Sequence, residues 1–183
     1  PLRRGSQTVL FEIVVALTKL MAPVLSFTAE EIWRMLPESV RVDSKADSVH
    51  LAMFPEVDPR WADAKLTERW EQLLEVRTAV QAALEVQRRE KVIGAPLEAK
   101  VLIDAHSAQY NLLKTYGQDL PAFFIVSDVV LQSAPDLPEK PGFVITVEKA
   151  TGVKCERCWN YRGSVGTSSD HPTLCDRCVE AVR

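Results

Sequence analysis

Four cysteines, all beyond residue 154, are the side chains of this 183-residue chain best suited to chemistry. Cys155 and Cys158 form one pair and Cys175 and Cys178 another, with two residues inside each pair and sixteen between the pairs. Two intervening residues let a tight turn aim both sulfurs at one point, and zinc takes four thiolates in a tetrahedron at about 2.3 Å. Four sulfurs close the coordination sphere, so the expected cofactor is one structural Zn2+ with no open position for water. Gly163, Gly166 and Pro172 are suitable turn residues for the return between the pairs. Two disulfides are the alternative, weakened because nothing in the sequence points to export and every cysteine lies in one segment. An iron–sulfur cluster would need the same ligand count. His171 would serve only if a cysteine did not, and four thiols suffice. Structural zinc contributes on the order of 10 kcal/mol to folding, so residues 150–183 are expected to be disordered without it.

Upstream elements must position that segment. Residues 6–21 place Val9, Leu10, Ile13, Val14, Leu17, Leu20 and Met21 at helical spacing on one face, and Pro23 closes the pattern. Thr28 and Glu31 read as a capping box opening a second helix, with Ile32, Trp33 and Leu36 as its buried stripe and Pro37 as its stop. Two helices cannot cover both apolar faces, so further helices are expected to pack on them. Residues 37–59 read as a connector with a short alternating piece at 49–54. A long helix is expected over 62–91, with Leu66, Trp70, Leu73, Val80, Leu84 and Gln87 along one side, ended by Gly94 and Pro96. Residues 97–103 alternate as a strand, 107–116 read as a helix, and 123–131 and 143–147 read as strands. The fold class is therefore α+β: a partial helical bundle (1–45), a connector (46–60), a long helix with a small sheet (61–148) and a zinc ribbon or knuckle (149–183).

Composition narrows the function classes. A formal charge of −3 gives no global positive field, so any nucleic-acid contact must come from local patches. No apolar run is long enough to span a bilayer, and no signal peptide follows Pro1. The start at Pro1, running almost directly into a helical pattern, reads as a cut inside a larger protein. His50 and His106 have no sequence partner that suggests catalysis. No glycine-rich phosphate loop or nucleophile motif is present either.

The residues around the cysteines are more specific than their spacing. CERCWNY at 155–161 and HPTLCDRCVEAV at 171–182 resemble the C-terminal zinc segment of the bacterial isoleucyl-tRNA synthetase family. APVLSFTAEEIW at 22–33 looks like the end of the helical anticodon-binding domain shared by the isoleucyl, valyl and leucyl enzymes. VHLAMFP at 49–55 resembles the segment leaving that bundle, and KVIGAPLEAKV at 91–101 the helix-to-strand join beyond it. The four motifs stand in family order along nearly the whole chain.

The resemblance implies a part of isoleucine–tRNA ligase that engages the anticodon stem-loop of tRNA(Ile), in the cytoplasm, with the rest of the synthetase chain as its other partner. It implies no membrane and no obligate protein partner. ATP and Mg2+ belong to the family's catalytic domain, whose His-Ile-Gly-His and Lys-Met-Ser-Lys-Ser signatures are absent here. This chain alone is therefore expected to form neither adenylate nor ester, and it carries no catalytic residue.

Anticodon bases are read by stacking on aromatic faces and by bonds to their exposed edges, while Arg and Lys take phosphates. Trp159 and Tyr161, flanked by Arg157 and Arg162, offer both kinds of contact; the alternative is that Trp159 packs over the metal site as the ribbon's core. Arg88, Arg89 and Lys91 form a second candidate patch, or simply a solvated helix end matched to the helix dipole. Arg177 and Lys154 are lesser candidates. Trp33, Trp61 and Trp70 are expected in the core. Two other functions fit the cysteines: a DNA-binding finger like that of the formamidopyrimidine-DNA glycosylases, and a zinc-stabilised protein adaptor. The upstream motifs favour the synthetase reading.

Overall fold

Proline sets the limits of the first helices in the computed structural model, which describes residues 2–182 and divides between Ala62 and Asp63 into two units. In the first unit, α1 (Leu2–Met21) ends just before Pro23, and α2 (Ser26–Met35) stops ahead of Pro37. The capping box at Thr28 does not form. Helix α2 begins two residues earlier, Leu25 holds the cap position without a side-chain bond, and Thr28 lies inside the first turn.

The expected connector also contains a helix, α3 (Glu38–Ser44). Pro37 ends one helix and precedes the next, because a missing N–H costs nothing ahead of a first turn. Within the short alternating piece, residues 49–51 form a 3-10 turn; Ser48 caps it, accepting from the His50 N–H at 3.3 Å.

A small core of Ala22, Ala29, Trp33, Ala46 and Val49 holds this unit. The buried Trp33 indole donates to the Ala46 carbonyl at 3.2 Å, satisfying its only polar atom. Glu30 ties α2 to the 3-10 turn, accepting from the Ser48 hydroxyl at 2.8 Å and the Val49 N–H at 3.1 Å. Those bonds and the Arg34 guanidinium hold its carboxyl below the usual carboxylate range. The apolar stripe of α1 is left outside this core, with Val9, Leu10, Ile13, Val14, Leu17 and Leu20 all exposed.

The second unit is built on α4 (Ala64–Arg89), capped by Asp63, whose carboxylate accepts from the Leu66 N–H at 3.0 Å. Its buried stripe is Leu73, Val76, Val80 and Leu84, while Leu66 and Trp70 lie nearer the surface. Trp70 meets the Phe123 ring edge-on at 5.6 Å on the rim of the core. Trp61, expected in the core, is exposed because it lies in a 3-10 turn (Pro59–Trp61) with no buried residue.

After α4 come β1 (Ala99–Ala105), α5 (Ser107–Thr115), α6 (Leu120–Phe124), β2 (Asp128–Ser133) and β3 (Phe143–Lys149). The sheet order is β2-β1-β3, with β1 parallel to β2 and antiparallel to β3. A parallel pair needs a crossover, and α5 and α6 supply it. Ala99, Val101, Ile103 and Ala105 all point into the core, which also holds Leu113, Leu120, Phe124, Val126 and Val147. Residues 123–131 are not one strand. Pro121 suits the first turn of α6, Phe124 turns inward, and Ile125 takes a left-handed conformation (φ 61°) before β2 begins.

Helix α4 ends earlier than Gly94 suggests. Lys91 adopts φ 59°, the Lys91 N–H bonds the Arg88 carbonyl at 3.2 Å, and the Val92 N–H reaches back to Gln87 at 3.0 Å. This is the Schellman arrangement, with lysine where glycine is the unstrained choice. Lys91→Gly is expected to stabilise the chain by up to about 1 kcal/mol, read as a higher urea midpoint at unchanged slope.

Candidate metal centre and nucleic-acid interface

The four cysteine sulfurs lie within 4.8 Å of one another, and none of the four is in a disulfide. Two short strands, β4 (Val153–Lys154) and β5 (Tyr161–Arg162), pair antiparallel and present Cys155 and Cys158 from the turn between them. The Cys155 N–H donates to the Asn160 carbonyl at 2.9 Å, and the Trp159 N–H to the Cys155 carbonyl at 2.8 Å. The second pair straddles the start of α7 (Asp176–Val182), so Cys175 precedes the helix and Cys178 sits in its first turn. The Cys175 N–H donates to the Cys155 sulfur at 3.3 Å, joining the two halves.

This donor set fits tetrahedral zinc. A tetrahedron with 2.3 Å bonds has edges of about 3.8 Å, and the Cys158 and Cys175 sulfurs stand 3.7 Å apart. Electrostatics point the same way. Burial opposes ionisation of Cys155, yet the backbone N–H groups of Cys158, Cys175 and Arg157 hold its thiol at about 6. Burial and the adjacent thiols push Cys158 up, and push Cys175 up to about 12. Cys155 ionises readily while Cys158 and Cys175 resist; a divalent cation among them removes that conflict. His171 is not in the converging group.

The expected binding side chains differ in their circumstances. Trp159 is 60% exposed and so is not part of a buried core, while Val165 and Leu174 pack partly buried against the cysteines. Its backbone is left-handed (φ 64°), and the Lys154 ammonium lies 5.7 Å from its ring centre. Tyr161 and Arg162, on β5, are half-buried. Arg157 has a guanidinium nitrogen 3.7 Å from the Cys178 sulfur, so part of its charge faces the sulfur cluster. Arg88 and Arg89 share Glu85, at 2.8 and 3.1 Å, which leaves this helix end less positive than its three cations suggest. Among the described residues, no hydrogen bond or ion pair joins Arg88, Arg89 or Lys91 to the knuckle.

Ser127 is a site residue that sequence reasoning misses. It is fully buried, and its hydroxyl accepts from the Tyr161 N–H at 2.7 Å while donating to the Leu97 carbonyl at 2.5 Å. Its partners are 34 and 30 residues away, so no local pattern marks it.

Residues 2–103 match the family model described as the anticodon-binding domain of tRNA ligase. The chain belongs to that family. Residues 152–181 match a second model, the zinc finger found in FPG and IleRS, which spans the whole cysteine knuckle. Over 98% of its length the chain is 47% identical to isoleucine–tRNA ligase of Syntrophotalea carbinolica, covering 19% of that protein. It is 45% identical over its full length to the ligase of Geobacter sulfurreducens and 42% over 99% to that of Moorella thermoacetica, covering 20% of each. The chain thus spans about a fifth of the length of the curated relatives it matches. Among the described residues, no helix of this anticodon-binding family member is long and apolar enough to cross a membrane.

Two arginines on one carboxylate hold Glu85 at about 2, chiefly through the Arg88 hydrogen bonds and then those of Arg89. A lowered carboxylate pKa stabilises the folded state above the unfolded value near 4.5, and that contribution is lost as pH falls through about 2. A carboxyl-carbon NMR titration should find the Glu85 midpoint near 2 and, in Arg88→Ala, a midpoint shifted up towards 4.5.

Proposed function

We propose that this chain is the portion of an isoleucine–tRNA ligase that holds the anticodon stem-loop of tRNA(Ile). Cys155, Cys158, Cys175 and Cys178 bind one structural zinc, which when present supplies a rigid four-thiolate anchor for the knuckle. Activation of isoleucine with ATP and Mg2+ takes place elsewhere in the ligase, and this chain alone forms neither adenylate nor ester. It works in the cytoplasm, where thiols stay reduced, as part of the synthetase chain and without an obligate protein partner or a membrane.

One observation carries the reading: Trp159 is held outward by a strained backbone with a cation beside its ring. A large aromatic at positive φ is costly, and such strain persists where the surroundings over-determine it. An exposed indole flanked by Lys154 suits an unstacked base and its phosphate. Tyr161 and Arg162 extend that surface along β5, and Arg157 contributes what its contact with Cys178 leaves free. Arg88, Arg89 and Lys91 add a second, partly neutralised set of phosphate contacts. The zinc-finger description covers DNA-glycosylase fingers too, but the anticodon-binding match over residues 2–103 favours tRNA.

Base stacking contributes about 1–3 kcal/mol per base. Trp159→Ala is therefore expected to weaken tRNA(Ile) binding by roughly 5- to 150-fold at unchanged zinc content. Filter binding of tRNA(Ile), an unrelated tRNA and duplex DNA tests the partner, and equal retention of all three would sink the proposal. Cys158→Ser is expected to lower zinc below one ion per chain and to melt residues 153–182. Full zinc by atomic absorption in that variant would refute the ligand set.

A further inference from the structure

We propose that Ser127 is a positioning residue that sets the angle at which the cysteine knuckle presents Trp159 and Tyr161 to RNA. This rests on the tRNA-holding role proposed above.

The knuckle is tied to the α+β body at two places. One is the covalent crossing from β3 to β4, where the Ala150 N–H bonds the Glu98 carbonyl at 2.6 Å and anchors the near side of the crossing. Gly152 follows at φ 99°, and a Cβ there would stand 2.5 Å from the Arg162 carbonyl carbon, so the crossing runs hard against β5. A single chain crossing still leaves rotation about itself. The second tie removes that freedom: the Tyr161 N–H donates to the Ser127 hydroxyl. Among the described residues, this is the only hydrogen bond between residues 153–182 and residues 64–149.

The second tie is built for direction. Ser127 is fully buried, ahead of the first residue of β2, and its own N–H donates to the Ala99 carbonyl at 3.1 Å. Its hydroxyl proton goes to the Leu97 carbonyl, so the lone pair facing Tyr161 is fixed by the end of the sheet. Tyr161 in turn lies two residues beyond Trp159 and pairs with Lys154 across the hairpin. The hydroxyl therefore sits at the base of the hairpin carrying the exposed indole, and among the described residues no cluster of buried apolar side chains spans the joint. A hydroxyl with one donor and two acceptor positions can serve both partners at once, which a methyl cannot.

Zinc-loaded chains carrying Ser127→Ala and Ser127→Thr provide the test, with residual dipolar couplings measured for 64–149 and 153–182 and affinity for a tRNA(Ile) transcript. In Ser127→Ala, one zinc per chain and both sets of native amide shifts should persist while the two alignment tensors diverge. Affinity should fall about tenfold, the equivalent of one lost hydrogen bond, and the Thr variant should recover both readouts. A shared tensor in Ser127→Ala would overturn the inference, as would diverging tensors with unchanged affinity, or loss of zinc and native shifts, which would make Ser127 a folding residue. If the unmodified chain fails to select tRNA(Ile), the tRNA-holding role falls, and the tensors still decide whether Ser127 sets the angle.

Discussion

The C-terminal segment of this chain folds around sulfur rather than around hydrocarbon. Its cluster holds three buried cysteines and a half-buried fourth, with Val165 and Leu174 packed partly buried against it and Val179 buried nearby in α7. So few apolar side chains cannot offset the conformational entropy of some thirty residues at about 1–2 kcal/mol each. Thiols drawn within 4.8 Å do not offset it either, since burial and the adjacent sulfurs make Cys158 and Cys175 resist ionisation. A divalent ion turns that resistance into attraction, so we assign the metal the role that a core plays in the α+β body. The hairpin, the return and α7 all depend on that point of convergence.

Because the knuckle does not bury its tryptophan, the indole is left for another purpose. In a segment with a hydrocarbon core, Trp159 would be the first residue recruited inward. Here the sulfurs already close the interior, and the turn after Cys158 adopts a left-handed backbone that directs the side chain outward. Lys154, one residue before the first cysteine, then lies against the ring from the paired strand. Sulfur cluster, turn and exposed indole form one chain of cause.

Features set by local chemistry were legible in the sequence. Cysteine spacing located the sulfur cluster, helical periodicity located α1, α2 and α4, alternation located β1, and a β-rich run located β3. Where reading failed, two local signals competed and tertiary context chose between them. Thr28 and Glu31 match a capping box, but the chain after Pro23 turns into helix at Ser26 and leaves Thr28 inside. The β-rich letters of 123–131 hide a helical turn because Pro121 suits a first turn and Phe124 fills the core better than a strand would allow. Charge was harder still. Arg88 and Arg89 read as a free basic end, and only the fold shows both settled on Glu85. Ser127 carried no signal at all, since its meaning comes from partners on two distant segments.

Gly152 shows how poor a guide solvent exposure can be to what a position will accept. It lies on the surface, between exposed Thr151 and exposed Val153. By the usual rule a substitution there would pass unnoticed. Yet its left-handed backbone and the strand passing over it leave no room for even one methyl group. In a saturation library of this chain, the residues on either side should vary freely while this one admits no replacement, a silent surface position with the mutational profile of a buried one.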